Sequence, residues 1–143
     1  MIDSHCHLDF DTLKNNISTI INNAKANNIT SILTINTDPD NFYNHYKLIQ
    51  DYKNIYISYG LHPEKVSNQK LLTKDDIIKY SKKEKVIGIG ETGLDFYHSL
   101  KFKKEQYSIF ENHIEASIES NLPLIIHQRN SEKEIIEVLQ NYK

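Results

Sequence analysis

A chain of 143 residues, 38% hydrophobic and 25% charged, has the size and composition of one globular domain with an ordinary core. Its net charge of −2 excludes a general electrostatic attraction to nucleic acid, so any polyanion would have to be bound by local groups. The single cysteine excludes an internal disulfide framework, and we find neither a bilayer-spanning apolar run nor a secretory signal, so we expect a cytoplasmic protein.

Five short segments rich in apolar and β-branched residues have the length and composition of β-strands. They cover residues 2–7, 31–35, 55–59, 86–90 and 122–127. The segments between them carry apolar residues at helical spacing, beginning with a helix predicted between Leu13 and Ala24. Three later helix starts are indicated by capping signals: Asp38 with Pro39, Thr73 with Asp76, and a capping box at Ser131 and Glu134.

The alternation of strands with helices predicts an α/β fold in which parallel strands are covered by helices. Two architectures fit, a doubly wound open sheet and a TIM-type (β/α)8 barrel, and periodicity does not separate them. Polar residues fall at the carboxyl ends of four or five different strands, where both architectures place their sites. Convergence from so many strands favours the rim of a barrel. We therefore expect a TIM-type barrel, incomplete here with about five βα units.

Two histidines of the first strand, His5 and His7, are two residues apart and so lie on the same face. Their Cα atoms are expected about 6.5–7 Å apart, a spacing that lets both imidazoles reach one cation. The same pattern is also compatible with two polar strand residues that make ordinary hydrogen bonds. Cys6 points to the other face, where we expect it to pack against the core.

An isolated carboxylate, Glu91, ends the fourth strand in the stretch GETGLDF. A buried carboxylate is costly unless it is paired or bound to a cation, and the surrounding glycines leave room for other groups to approach the backbone. His127 ends the fifth strand, and by alternation Arg129, the only arginine of the chain, lies on the same side. Histidines and a carboxylate converging from three strands suit divalent zinc, manganese, iron or magnesium.

Four motifs together resemble one known family. HCHLD at residues 5–9, GLHP at residues 60–63, GETGLDF at residues 90–96 and IIHQR at residues 125–129 are similar to the signatures of TatD-type metal-dependent deoxyribonucleases. That family belongs to the amidohydrolase group of metal-bearing (β/α)8 barrels. The motifs occur in the family's order and on the expected strands.

The resemblance implies a site for two divalent metal ions, Mg²⁺, Mn²⁺ or Zn²⁺, that hydrolyses phosphodiester bonds. His5 and His7 would bind the first ion, and His127 would bind the second. Glu91 would bridge both ions, since a carboxylate has two oxygens.

The resemblance also implies catalytic roles and a substrate. Glu91, His62 and Arg129 are the catalytic candidates, with His62 near the scissile phosphate and Arg129 holding the same group. Asp95 is expected to orient neighbouring groups without touching metal. The implied substrate is DNA, in single-stranded form.

The length of the chain departs from the family pattern. A barrel of eight units typically needs about 250 residues, and family members supply two further ligands, a histidine and an aspartate, from later strands. We therefore expect residues 1–143 to form a single truncated barrel domain of impaired activity. Two alternatives stay open: a catalytically inert fragment of a split or decaying nuclease gene, and another amidohydrolase-type hydrolase. Exposed sheet edges could mediate self-association or accept a complementary carboxyl-terminal fragment.

Three remaining histidines, His45, His98 and His113, belong to none of these motifs. His45 and His113 fall within predicted helices and His98 within a loop. We expect all three at the surface or at its boundary with the core.

Overall fold

The computed structural model describes residues 1–68 and 71–142. Its strands are Ile2–Cys6 (β1), Ser31–Thr34 (β2), Ile55–Tyr59 (β3), Val86–Asp95 (β4) and Leu124–Arg129 (β5). Its α-helices are Asp11–Lys14 (α1), Ile17–Ala26 (α2), Phe42–Ile49 (α3), Lys74–Ser81 (α4), Lys103–Ser120 (α5) and Glu132–Gln140 (α6), with 3₁₀ turns at Pro39–Asn41 and Pro63–Asn68. No helix within the described ranges combines the length and the apolar character needed to cross a bilayer.

The five strands are parallel and follow one another across the sheet in chain order, β1-β2-β3-β4-β5. A doubly wound sheet reverses its strand order at a switch point, and these strands show no reversal. The order confirms the prediction of a barrel-type architecture with five βα units. Because the carboxyl ends of parallel strands lie on one rim, the loops that follow the strands meet there.

The main core lies between the sheet and the helices. One cluster joins buried and half-buried apolar residues of all five strands to residues of α2, α3, α4 and α5. Ile57, Ile89 and Ile77 are fully buried in it, and Cys6 packs against it as expected. Each fully buried side chain of this size contributes about 1.5–3 kcal/mol relative to an exposed one. The helices therefore hold the strands firmly enough to define the positions of the residues at their carboxyl ends.

Two strands have limits that differ from the sequence prediction by more than one residue. β4 continues to Asp95 because its second half pairs with β5, ending with Asp95 opposite Arg129. This pairing overrides the weak local strand preference of a glycine-rich sequence. β5 begins at Leu124, later than expected, because the preceding Asn121 ends α5 in the left-handed region with φ of 53°.

The first predicted helix is interrupted. Asn15 follows the short helix α1, and its side-chain amide donates to the carbonyl oxygen of Asp11 at 3.0 Å. Side chains of this kind compete with the backbone for helical hydrogen bonds. The helix that packs on the sheet, α2, begins only at Ile17.

Two of the predicted helix starts have an acidic residue three positions after the N-cap residue, and the structure contains a capping box at one of them. Thr73 and Asp76 form a complete capping box at the start of α4. The capping box predicted at Ser131 is wrong, since its side chain makes no bond to the helix. The buried Ser131 hydroxyl instead donates to the carbonyl oxygen of Leu94 at 2.7 Å, which ties the start of α6 to the end of β4.

His45 and His113 are buried, contrary to the expectation, whereas His98 is exposed as expected. In His113, Nδ1 donates to the carbonyl oxygen of Ile109 at 2.7 Å and Nε2 accepts from the Leu61 N–H at 3.2 Å. Burial lowers the pKa of His113 to about 4. The neutral ring therefore links α5 to the segment that follows β3.

Glycine is required on both sides of Glu91. Gly90 and Gly93 have φ of +129° and +141°, which residues with a Cβ rarely adopt. A Cβ at Gly90 would overlap the carbonyl oxygen of Ile125, and one at Gly93 would overlap that of His127. The glycines therefore let β5 approach β4 closely where the site is built.

We expect Gly93→Ala to lower the free energy of unfolding by about 3 kcal/mol, because it combines an unfavourable φ with a backbone overlap. Gly88→Ala is the matched control on the same strand. Its Cβ would meet the flexible end of Ile125, at 2.9 Å from Cδ1, so a loss of about 1 kcal/mol is expected. Urea unfolding followed by circular dichroism measures both, and equal losses would contradict this explanation.

Candidate metal centre

Strand ends bring the predicted site residues to one rim. His5 lies in β1 and His7 directly follows it, while Glu91 lies within β4 and His127 within β5. His62 lies between β3 and the 3₁₀ turn that begins at Pro63. Residues that are far apart in the sequence are therefore neighbours in the fold because their strands are parallel and in order.

The carboxylate of Glu91 lies at the centre of this group. Its Oε2 is 3.6 Å from His5 Nε2 and 3.9 Å from His7 Nε2. Its Oε1 is 3.2 Å from His127 Nδ1. The two oxygens of one carboxylate thus face different histidines.

Two sets of metal-ligating side chains result, and both include Glu91. The first set is His5, His7 and Glu91, and the second is His62, His127 and Glu91. Within each set, one nitrogen or oxygen of every residue lies within 4.8 Å of the others. Imidazole nitrogens with a carboxylate oxygen suit zinc, manganese and iron, so the donor chemistry of both sets fits a divalent cation.

The electrostatics of the centre favour a positive charge. Burial raises the pKa of the Glu91 carboxyl, but the hydrogen bond with His127 and the influence of the surrounding imidazoles outweigh burial, so the net pKa lies below the ordinary value. Burial lowers the pKa of His127, yet Glu91 and Asp95 together bring it above the ordinary value. The negative charges of Glu91 and Asp95 favour a positive charge between them, which a proton or a metal ion can supply.

Hydrogen bonds orient two of the imidazoles. His7 Nδ1 donates to the carbonyl oxygen of Ile35 at 3.2 Å, which leaves the lone pair of Nε2 on the side of Glu91. His127 Nε2 donates to Asp95 Oδ2 at 2.8 Å, which leaves Nδ1 on the side of Glu91. An outer hydrogen bond of this kind fixes the ring orientation of a metal-binding histidine.

Asp95 is itself held rigidly. It is 3% exposed, and its Oδ1 accepts from the Tyr97 N–H at 3.0 Å. Its backbone exchanges two hydrogen bonds with the side chain of Gln106, at 2.9 and 3.1 Å. Burial raises the pKa of the Asp95 carboxyl, but the bonds to Tyr97 and His127 bring it below the ordinary value. Asp95 is therefore a fixed anion that belongs to neither set of candidate ligands.

The distances place His62 in the second set of candidate ligands. Its hydrogen bonds, however, are those of a ring whose Nε2 is a hydrogen-bond donor and not a metal ligand. Burial lowers the pKa of His62 to about 4, so the ring is neutral. The Glu64 N–H donates to its Nδ1 at 3.3 Å, which places the ring hydrogen on Nε2. That Nε2 is 3.0 Å from His127 Nδ1. An N–H in this position offers a hydrogen bond, here to His127 Nδ1, instead of a lone pair to a cation.

The candidate ligands open into a cavity of about 410 Å³. It is lined by His7, Phe10, Thr37, His62, Glu64, Lys65, Glu91 and His127. Arg129 lies beside this cavity: its guanidinium is over the ring of Tyr97, 3.7 Å from the centroid, and its Nη1 is 3.8 Å from Glu64 Oε1.

Sequence reasoning missed four residues of the cavity: Phe10, Thr37, Glu64 and Lys65. Phe10 follows β1, Thr37 follows β2, and Glu64 and Lys65 lie in the 3₁₀ turn after β3. Segments at the carboxyl ends of strands build the sites of parallel α/β folds, so every side chain in these three segments is a candidate.

Known proteins match this chain over nearly its whole length. The sequence model of the family described as TatD related DNase matches residues 2–143. A metal-dependent hydrolase of Buchnera aphidicola, itself uncharacterised, is 39% identical over 146 residues, which cover 98% of this chain and 54% of the relative. The 3′-5′ ssDNA/RNA exonuclease TatD of Escherichia fergusonii is 27% identical over 121 residues, which cover 85% of this chain and 46% of the relative.

A solved structure matches the fold. The crystal structure of YjjV, a TatD homologue from Escherichia coli K12, aligns with a TM-score of 0.90 and 23% sequence identity over 99% of this chain and 56% of that one. The chain spans about half the length of the relatives it matches. With the family match over residues 2–143 and the barrel-type order of its strands, this chain belongs to the TatD-related DNase family.

Proposed function

We propose that the chain carries a two-metal site of a TatD-type hydrolase that cleaves phosphodiester bonds of DNA. The observation that carries this proposal is the position of Glu91, whose two carboxylate oxygens face different sets of histidines. A carboxylate in that position is suited to bridge two cations. The Buchnera relative, named as a metal-dependent hydrolase, supports the same class of chemistry.

Each residue of the site has a proposed task. His5 and His7 would hold one ion, His127 would hold the other, and Glu91 would contribute to both. Paired divalent ions supply Lewis acidity that activates water and offsets the negative charge of a phosphodiester. Asp95 acts as a positioning residue, because its carboxylate fixes the orientation of the His127 ring.

Two further side chains are proposed to handle the substrate phosphate. The Nε2–H of the neutral His62 is a hydrogen-bond donor in the cavity, and a phosphate oxygen can accept from it. Arg129 contributes a guanidinium at the edge of the cavity, held over the Tyr97 ring. A guanidinium is always charged and matches the geometry of a phosphate.

Single-stranded DNA is the proposed substrate, and the cytoplasm is the proposed location. The Escherichia fergusonii relative is named as a single-stranded DNA and RNA exonuclease, which supports a single-stranded polynucleotide. The net charge of −2 gives no general attraction to a polyanion, so binding must come from local groups.

We propose low activity for the 143 residues alone. The chain spans about half the length of its relatives, and the described strands contribute four candidate ligands, His5, His7, Glu91 and His127. A complementary carboxyl-terminal polypeptide would add the strands and ligands that the family resemblance implies. A chain that is inert in every setting is the competing outcome.

Metal binding tests the assignment of the site. In calorimetric titrations with Mn²⁺, we expect Glu91→Gln to weaken binding of both ions by more than about 100-fold, because it removes a shared ligand. Asp95→Asn should weaken binding of only the ion held by His127, by about 10–100-fold, because it removes the charge that strengthens the hydrogen bond to the His127 ring without removing a ligand.

Glu64→Gln is the matched control for these variants. Glu64 is a carboxylate in the same cavity but belongs to neither set of candidate ligands. It should leave both affinities within about 2-fold of wild type. Equal effects of Glu64→Gln and Glu91→Gln, or loss of a single ion in Glu91→Gln, would rule out a bridging carboxylate.

Digestion of a single-stranded oligodeoxynucleotide in Mn²⁺ tests the reaction. We expect slow cleavage by the chain alone and at least about 10-fold faster cleavage after addition of the carboxyl-terminal portion of the Buchnera relative, which would add the ligands that the family resemblance implies. Rapid cleavage by the chain alone would refute the proposed impairment. Cleavage of carboxylic esters or amides with the oligonucleotide left intact would refute phosphodiester hydrolysis.

A further inference from the structure

One aromatic ring beside the candidate metal centre has no part in the proposed chemistry. Phe10 is 52% exposed and lines the same cavity as His7, His62, Glu91 and His127. The ring is stacked on the imidazole of His7, with centroids 4.9 Å apart and planes inclined by 14°. A large apolar side chain is therefore presented to solvent within contact distance of a candidate ligand.

The backbone of Phe10 is held on both sides. Its N–H donates to the carbonyl oxygen of His7 at 3.2 Å. Its own carbonyl oxygen accepts from the N–H groups of Leu13 and Lys14 at 2.8 and 2.9 Å. His7 in turn is fixed by its bond to Ile35. The ring is thus a preformed surface whose position is coupled to that of the metal centre.

Phe10 differs from the other exposed aromatic residues. Among residues 1–68 and 71–142, three phenylalanine or tyrosine residues are more than half exposed: Phe10, Tyr43 and Tyr97. The ring of Tyr97 is covered by the guanidinium of Arg129, and that of Tyr43 has Lys83 Nζ 5.1 Å from its centroid. Of the three, Phe10 lines the cavity of the metal centre and is stacked on a candidate ligand.

A second cavity continues from the first on the side of Phe10. It has a volume of about 470 Å³ and shares Phe10, Thr37 and Lys65 with the cavity of the metal centre. The two cavities therefore form one groove in which a substrate held at the metal centre can extend over the Phe10 ring.

The charges of this groove do not favour a polyanion by themselves. Lys65 Nζ is 3.1 Å from Asp38 Oδ2, and Lys14 is paired with Asp11. Both lysines are paired with carboxylates, and Asp9 lines the groove as well, so its charges give little net attraction to a phosphate backbone. The exposed aromatic ring provides an uncharged contact on this side of the site.

We propose that Phe10 is a stacking platform for one base of a single-stranded polynucleotide whose neighbouring phosphodiester lies at the metal centre. This inference rests on the proposed function and adds the residue that recognises the substrate as an unpaired nucleotide. Stacking on an aromatic ring strengthens binding by about 10-fold or more per base and tolerates any base sequence. A base held in a duplex is stacked on its own neighbours and is not free to use such a platform.

The test compares two labelled decamers with nuclease-resistant phosphorothioate backbones, one of thymidines and one of abasic sites, by fluorescence anisotropy in saturating Mn²⁺. The wild-type chain should bind the thymidine decamer about 10-fold or more tightly than the abasic one. The Phe10→Leu variant should lose this difference, because its affinity for the thymidine decamer should fall while its affinity for the abasic decamer stays the same. Phe10→Trp should keep it, since an aromatic face is retained.

Two controls separate the platform from other effects. Tyr43→Ala removes an equally exposed ring outside the groove and should leave both affinities at the wild-type values. A Mn²⁺ titration of Phe10→Leu should match wild type, which excludes an indirect effect through His7.

Every other result contradicts the proposal that Phe10 stacks on a base. A wild-type chain that does not distinguish the decamers, or that binds neither, contradicts it. So does a Phe10→Leu variant that keeps the distinction or weakens both decamers equally. The Mn²⁺ titrations are read separately, so failure of the platform leaves the two-metal proposal standing, and failure to bind Mn²⁺ refutes the two-metal proposal instead.

Discussion

A buried carboxylate surrounded by imidazoles is the constraint on which the rest of this structure depends. Glu91 is 8% exposed, and an ionised group at that depth is stable only with positive or hydrogen-bonding partners. The fold supplies these partners, histidines, from the carboxyl ends of β1, β3 and β5. Each histidine alone is an ordinary polar residue at a strand end, and their arrangement around one carboxylate gives the rim its chemical character.

Several contacts outside the centre keep these partners in place. The buried His113 fixes the Leu61 N–H, one residue before His62. The hydroxyl of Ser131 fixes the Leu94 carbonyl, one residue before Asp95. Both contacts join a helix on the outside of the sheet to a loop or strand end at the rim. Packing of the helices therefore contributes directly to the geometry of the site, although none of these helix residues faces the cavity.

The sequence was sufficient for the architecture and for the convergence of His5, His7 and His127 on Glu91. Alternating strands and helices predicted the parallel sheet, and polar residues at strand ends predicted the convergence on Glu91. The burial of His113 could not be predicted, because a histidine within a helix gives no sign of which backbone group lies opposite. That His62 Nε2 is a hydrogen-bond donor could not be predicted either, because it depends on the backbone N–H of Glu64, which donates to Nδ1. The extension of β4 to Asp95 depends on pairing with β5, which local sequence preference opposes.

The electron paramagnetic resonance spectrum of the chain saturated with Mn²⁺ tests most directly whether Glu91 joins two metal sites. Two ions bridged by one carboxylate lie about 3.5–4 Å apart, so this account predicts the spectrum of a magnetically coupled pair. A spectrum of isolated Mn²⁺ ions at saturation would show that Glu91 does not join two metal sites, and would contradict the account.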